Sequence, residues 1–189
     1  WERIADRYLA LFDEVRREHR VRAVEAVRPT ATVSVARVLP TLRVGHLLAM
    51  CDDTGLFQHA VHAVPDRAHG YCVDDNARAL ILACRLEAPG EQSLPEGLAM
   101  RFAAFVQHAW NPDTRRFRNF MGFDRRWLET QGSEDSHGRT LWALGECSRG
   151  GPPSRRRWAH DLFEAAAPIV ESFTSPRARA FALLGLDGW

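Results

Sequence analysis

The chain has 189 residues, 46% hydrophobic and 26% charged, which suits one globular domain or slightly more and excludes bulk disorder. Its formal net charge is +1, so no overall field draws nucleic acid or an anionic membrane, and its arginines are spread rather than massed. No apolar run approaches the roughly 18 to 20 residues of a membrane span, and Cys51, Cys72, Cys84 and Cys147 occur without the spacing of a zinc site.

In chain order, residues 1 to about 26 predict an amphipathic helix, with Ile4, Tyr8, Leu11, Phe12 and Val15 at helical spacing. Residues 29–40, bounded by Pro29 and Pro40, predict a linker. A boundary there divides the chain into an opening helical unit (1–28), the linker (29–40) and a helical domain (41–189). Trp1 stands where a methionine would open a chain, and the apolar run to Trp189 has no polar tail. The sequence therefore reads as a piece of a longer protein, and its composition favours the cytoplasm.

After Pro40, a short helix from Leu42 to about Cys51 is expected to end at Asp52-Asp53-Thr54-Gly55. Residues 55–71, with three histidines, two glycines and Pro65, predict a long loop or irregular hairpin of the kind that often carries function. Asp74 or Asp75 is expected to cap a helix to about Leu86, ended by Pro89-Gly90. A second helix follows from about Pro95 to Trp110, then a turn at Asn111-Pro112-Asp113 and a β-hairpin over 116–127 around Gly122. Ser133 or Asp135 opens a helix to about Cys147, in which Cys147, like Cys84 earlier, reads as a small core residue. Gly150-Gly151-Pro152-Pro153 breaks that helix, another spans 154–173, and Ser175-Pro176 starts the last.

Three helix starts can be laid on one another: Asp74 to Leu80, Asp135 to Leu141 and Ser175 to Phe181. Each has a capping residue and an arginine four positions later, and those arginines are 61 and then 40 residues apart. A degenerate repeat of helix pairs is the expected reading, as in a helical toroid or solenoid; capping chemistry alone would give the same pattern.

Two of these starts carry more polar groups than a cap needs. In the first, His69, Tyr71, Asp74, Asp75, Asn76 and Arg78 crowd one loop and helix turn. The helix dipole stabilises ionised carboxylates there, which suits a general base or a ligand for sugar hydroxyls. In the second, Glu134, Asp135, His137 and Arg139 surround Gly138, a glycine inside a helix where another group comes close. The loop with Asp53 and His59 is a third source of ligand contacts. The plain alternative for each is a capped, solvated turn. His46, His108 and His160 fall within helix patterns and read as structural. Trp110, Trp127, Trp142 and Trp158 are either sugar-stacking platforms or core. There is no Gly-rich phosphate loop, GxSxG or HExxH, so no cofactor or metal is expected.

The segments His69 to Leu80 (HGYCVDDNARAL) and Gly132 to Leu144 (GSEDSHGRTLWAL), with Asp52 to Arg67 (DDTGLFQHAVHAVPDR), resemble the helical C-terminal region of certain bacterial glycosyltransferase polypeptides. In these a GT-B glycosyltransferase precedes a domain similar to the six-hairpin glycosidases, an (α/α)6 toroid. The opening helix, WERIADRYLALF, resembles the closing helix of such a transferase. The resemblance covers roughly residues 40 to 189 and implies a mainly α fold, a partial α/α toroid with one short β-hairpin. It further implies a glycan bound or hydrolysed at the toroid mouth, with Asp74, Asp75, Glu134 and Asp135 as catalytic carboxylates. His69, Tyr71, Asn76, Arg78, His137, Arg139, Asp53 and His59 would contact the sugar, and the GT-B-like remainder of the polypeptide would be the partner. The competing expectation is a non-catalytic helical-repeat module that serves structure or protein interaction. The two differ in whether the acidic turns share one concave face.

Overall fold

A computed structural model of the chain describes residues 6–7, 9–17, 42–87, 94–95 and 97–189. The chain divides into two units, Trp1–Thr41 and Leu42–Trp189. In the first, residues 9–17 are helical (α1). The expected linker over 29–40 and the Pro89-Gly90 break lie outside the described residues.

The second unit is mainly helical. Its helices are α2 (Gly45–Ala49), α3 (Val73–Leu86), α4 (Leu98–Ala109), α5 (Glu134–Arg149), α6 (Pro153–Ala166) and α7 (Pro176–Gly188). The expected helix over 154–173 changes to a 3-10 helix at Ala167–Ser172, just before Pro168. Ser133 and Ser175 cap α5 and α7 by accepting the N–H of Ser136 and Ala178. The cap of α3 differs from expectation. Cys72 takes that place, its Sγ accepting the Asp75 N–H at 3.4 Å, so Asp74 and Asp75 stand in the first turn.

Strand content exceeds the single hairpin expected. Residues 55–71 hold the hairpin β1 (Ala60–Val61) with β2 (Val64–Pro65), and a 3-10 turn at Arg67–His69. The pair β4 (Trp110–Asn111) and β5 (Arg116–Phe117) encloses the turn at Pro112-Asp113. Strand β3 (Tyr71–Cys72) pairs with β6 (Phe120–Met121), joining the entrance of α3 to a segment far along the chain. Of the expected 116–127 hairpin, Arg116–Phe117 pairs with β4 instead, while the chain does fold back around Gly122 through the Met121–Trp127 bridge and the Gly122 to Arg126 and Leu128 to Phe120 backbone hydrogen bonds.

Side-chain register fixes the directions of the helices. Arg85 of α3 meets Glu146 of α5, and Cys84 meets Cys147, while Arg139 near the start of α5 meets Asp74 at the start of α3. Helices α3 and α5 are therefore parallel. Helices α5 and α7 are parallel too, with Gly138 against Ala178 and Gly145 against Gly185. A Cβ on Gly138 would run into the backbone carbonyl of Ala178, so glycine there permits close backbone approach. The returning helices run the other way. Phe105, late in α4, packs on Tyr71 before α3, and the Ala166 carbonyl ending α6 meets His137 at the start of α5.

Two of the offsets between partners equal those of the sequence repeat, 61 residues from Arg85 to Glu146 and 40 from Asp135 to Ser175, while Cys84–Cys147 and Asp74–Arg139 are 63 and 65 apart. The repeated helix starts are thus neighbours in space. Between the helices lies a core of Val73, Leu80, Phe102, Val106, Leu141, Leu144 and Phe163, all buried. Each large apolar side chain there contributes about 1.5–3 kcal/mol by leaving water. With α3, α5 and α7 parallel, all three N-termini emerge at one end of the domain.

Candidate functional site: a carboxylate–arginine cavity at three helix starts

At that end lies a cavity of about 300 Å³ whose lining includes Asp74, Asp75, Arg78, Asp135, Arg139 and Arg177. Its size is at the small end of small-molecule sites. The carboxylates are partly buried, with side-chain exposures of 22–25%. Their placement follows from the helix starts, where the dipole and the unpaired first-turn N–H groups favour negative charge.

The charged groups form two ion-paired clusters, one between α3 and α5 and one between α5 and α7. Arg139 Nε donates to Asp74 Oδ1 at 2.5 Å, and Arg78 donates to Asp74 Oδ2 at 2.9 Å and also to Asp75. On the other side Arg177 Nε donates to Asp135 Oδ2 at 2.7 Å, and Ser175 Oγ to Asp135 Oδ1 at 2.9 Å. The Arg177 guanidinium, followed by the Ser175 hydroxyl, holds the Asp135 carboxyl below its usual range. The Arg139 guanidinium also lies over the Phe181 ring, 4.3 Å from its centre, which fixes its fork. Cys72 Sγ donates to Asp75 Oδ2 at 2.9 Å, and burial pushes that thiol up.

The structure thus brings together Asp74, Asp75, Arg78, Asp135 and Arg139 of the expected site. The other expected residues lie elsewhere. Glu134 Oε2 accepts the backbone N–H groups of Thr174 and Ser175, at 2.9 and 2.7 Å, and ties α5 to the start of α7. His137 is fully buried, accepting the Phe117 N–H at Nδ1 and donating from Nε2 to the Ala166 carbonyl. Burial pushes its pKa down to about 3, so it is a neutral core residue with both nitrogens used.

Asn76 is also buried. Its Oδ1 accepts the Leu56 N–H, and its Nδ2 donates to the carbonyls of Leu56 and Cys72. Tyr71 donates to Asp52 Oδ2 at 2.6 Å, and burial followed by that hydrogen bond raises it to about 12. Both residues pin the loop after α2 onto α3. His59 and His69 meet on the surface with ring centres 4.5 Å apart and planes tilted by 34°, and Asp53 is exposed and paired with Arg125. None of these seven residues lines the cavity.

Sequence reasoning did not single out Arg177, Asn119 or Phe120, and held Gln58, Ser133 and Ser136 only within longer segments; these six complete the lining with Cys72. Asn119 Oδ1 accepts the Asp74 N–H at 3.2 Å and is held in turn by Glu129, which accepts the Asn119 N–H. Phe120 is 39% exposed. The four tryptophans named as platforms are partly buried against the core, so Phe120 is the aromatic face at this site. The sequence repeat aligns Arg179 with Arg78 and Arg139. Arg179 instead borders an apolar groove of about 310 Å³ with Leu141, Phe163, Val170 and Leu183.

The arrangement can orient a polar ligand by hydrogen bonds. Three arginines against three aspartates leave it near neutrality, with many directed donors and acceptors and one aromatic face. Among the described residues no group of three or more His, Cys, Asp or Glu could hold a metal ion, and no helix is long and apolar enough to cross a membrane. No family model matches the chain, and no curated protein or solved structure matches it.

Proposed function

We propose that Leu42–Trp189 is part of an α/α toroid that binds a neutral glycan in the cavity at its helix starts, serving a glycosyltransferase on the same polypeptide. The observation that carries this reading is the convergence of Asp74, Asp75 and Asp135 with Arg78, Arg139 and Arg177 from three parallel helices. Parallel helix starts around one mouth are the geometry expected of a toroid, and the sequence resemblance supports the link to a transferase.

A neutral ligand fits the charge balance. Each aspartate already has an arginine partner, so a free anion or cation would have to displace an existing ion pair. Sugar hydroxyls can add to the unused lone pairs and N–H groups without breaking those pairs, and the Phe120 ring can take the apolar face of a pyranose.

Binding is favoured over hydrolysis by the same pairs. A glycosidase needs one carboxyl held protonated as general acid. Asp135 is drawn the opposite way by Arg177. The test is an assay of reducing-sugar release beside equilibrium binding on one oligosaccharide panel. The expected result is retention of a glycan without its cleavage. Cleavage that is lost in Asp75→Asn would make the domain a hydrolase, and neither retention nor cleavage would leave the reading without support.

A further inference from the structure

At the end of α3 and α5 remote from the cavity, Cys84 Sγ and Cys147 Sγ lie 2.9 Å apart, both as free thiols. Cys147 is fully buried, whereas Cys84 reaches solvent in part. The other two cysteines sit elsewhere: Cys51 follows α2, and Cys72 caps α3 with its thiol on Asp75. Beside the pair, the buried Arg155 of α6 is ion-paired with Glu87, and its Nε has no hydrogen-bond partner. The Cys147 thiol, and after it the Arg155 charge, draw Cys84 toward the thiolate, while the same hydrogen bond and burial hold Cys147 protonated. With the sulfurs in contact, the partly exposed Cys84 is placed to meet an oxidant and the buried Cys147 to resolve it.

We infer that Cys84 and Cys147 form an oxidisable dithiol site that closes to a disulfide between α3 and α5 when the protein meets a peroxide. In the first step the Cys84 thiolate attacks one peroxide oxygen; an S–O bond forms, the O–O bond breaks, and hydroxide leaves to become water with the proton Cys84 released. In the second step Cys147 loses its proton and attacks the Cys84 sulfur; the S–S bond forms, the S–O bond breaks, and the departing hydroxide takes that proton as water. Two thiols are oxidised and one hydrogen peroxide is reduced to two waters. The bond would fix the distal ends of the two helices whose near ends carry Asp74, Asp75, Asp135 and Arg139. The inference does not depend on what the cavity binds.

The experiment treats the whole chain with stoichiometric hydrogen peroxide, blocks free thiols and maps tryptic peptides without reductant. The expected product is residues 79–85 joined to 140–149, lighter by two hydrogens than the separate peptides and released by reductant, with Cys51 and Cys72 still blocked. The oxidised protein should melt about 5–10 °C higher than the reduced one, since the bond closes a long loop. Cys84→Ser should abolish both the linked peptide and the shift. Recovery of Cys84 and Cys147 as blocked free thiols, or as unlinked higher oxides, would overturn the inference on the unmutated protein alone.

Discussion

Glu134 and Asp135 are adjacent in α5 but face different tasks. Glu134 clasps the backbone N–H groups of Thr174 and Ser175, and Asp135 lines the cavity against Arg177. One carboxylate closes a helix junction and the other is available to a ligand. Replacing them should separate stability from binding. Glu134→Ala removes two backbone hydrogen bonds, one exposed and one partly buried, and should cost about 1–2 kcal/mol in urea unfolding, with glycan affinity retained per folded molecule. Asp135→Asn should change stability less and affinity more.

Arg139 bridges helices α3 and α5 through Asp74 and rests on Phe181. A lysine keeps the charge but not the planar fork or the stacking. Arg139→Lys is therefore expected to lose about 1 kcal/mol of stability and to weaken glycan binding. Arg78→Lys, at an exposed side chain, should alter stability little. Thermal melts of both variants check the contrast.

The buried His137 gives the fold an acid weakness. Its folded pKa of about 3 lies below the ordinary 6.5, so below pH 6.5 the unfolded chain takes up a proton that the folded chain refuses. Stability should fall as pH drops from about 6.5 toward 3. His137→Gln should flatten that slope between pH 7 and 5 in urea-midpoint measurements. Asp135 acts lower on the scale. Its folded pKa is depressed, so its contribution is present above its ordinary 3.8 and is lost as pH falls through the folded value.

Gly138→Ala sets helix propensity against packing. Alanine would favour an isolated helix by about 1 kcal/mol, yet its Cβ would strike the Ala178 carbonyl. Overpacking of this kind typically costs about 1–3 kcal/mol, so a net loss of stability is expected in a denaturant titration. A gain would mean that α5 and α7 are not in this close register.

Helix positions were legible because apolar periodicity, serine caps and Gly/Pro breaks are local signals, and Ser133 and Ser175 sit where those signals put them. The offsets of 61 and 40 residues were readable too, since helix starts that pack side by side repeat their polar pattern. What escaped was long-range pairing. Asn76 and His137 looked surplus at their helix starts, but their partners Leu56, Phe117 and Ala166 are 20 to 29 residues away. Asn119 and Phe120 reach the site through the pairing of β6 with β3, which no local pattern announces. Cys72 is an unusual cap, so the aspartates beside it took its place in the reading. Arg177 stands two positions after a cap rather than four, outside the register used to align the repeats.

The most direct measurement is binding of a panel of neutral oligosaccharides to the protein and to its Asp75→Asn, Asp135→Asn double variant, with circular dichroism to confirm that both are folded. Retention of at least one glycan by the parent, with affinity at least about tenfold weaker in the folded variant (about 1.4 kcal/mol), is the predicted result. No glycan retained by the parent, or equal retention by both, would contradict the assignment of the cavity to carbohydrate.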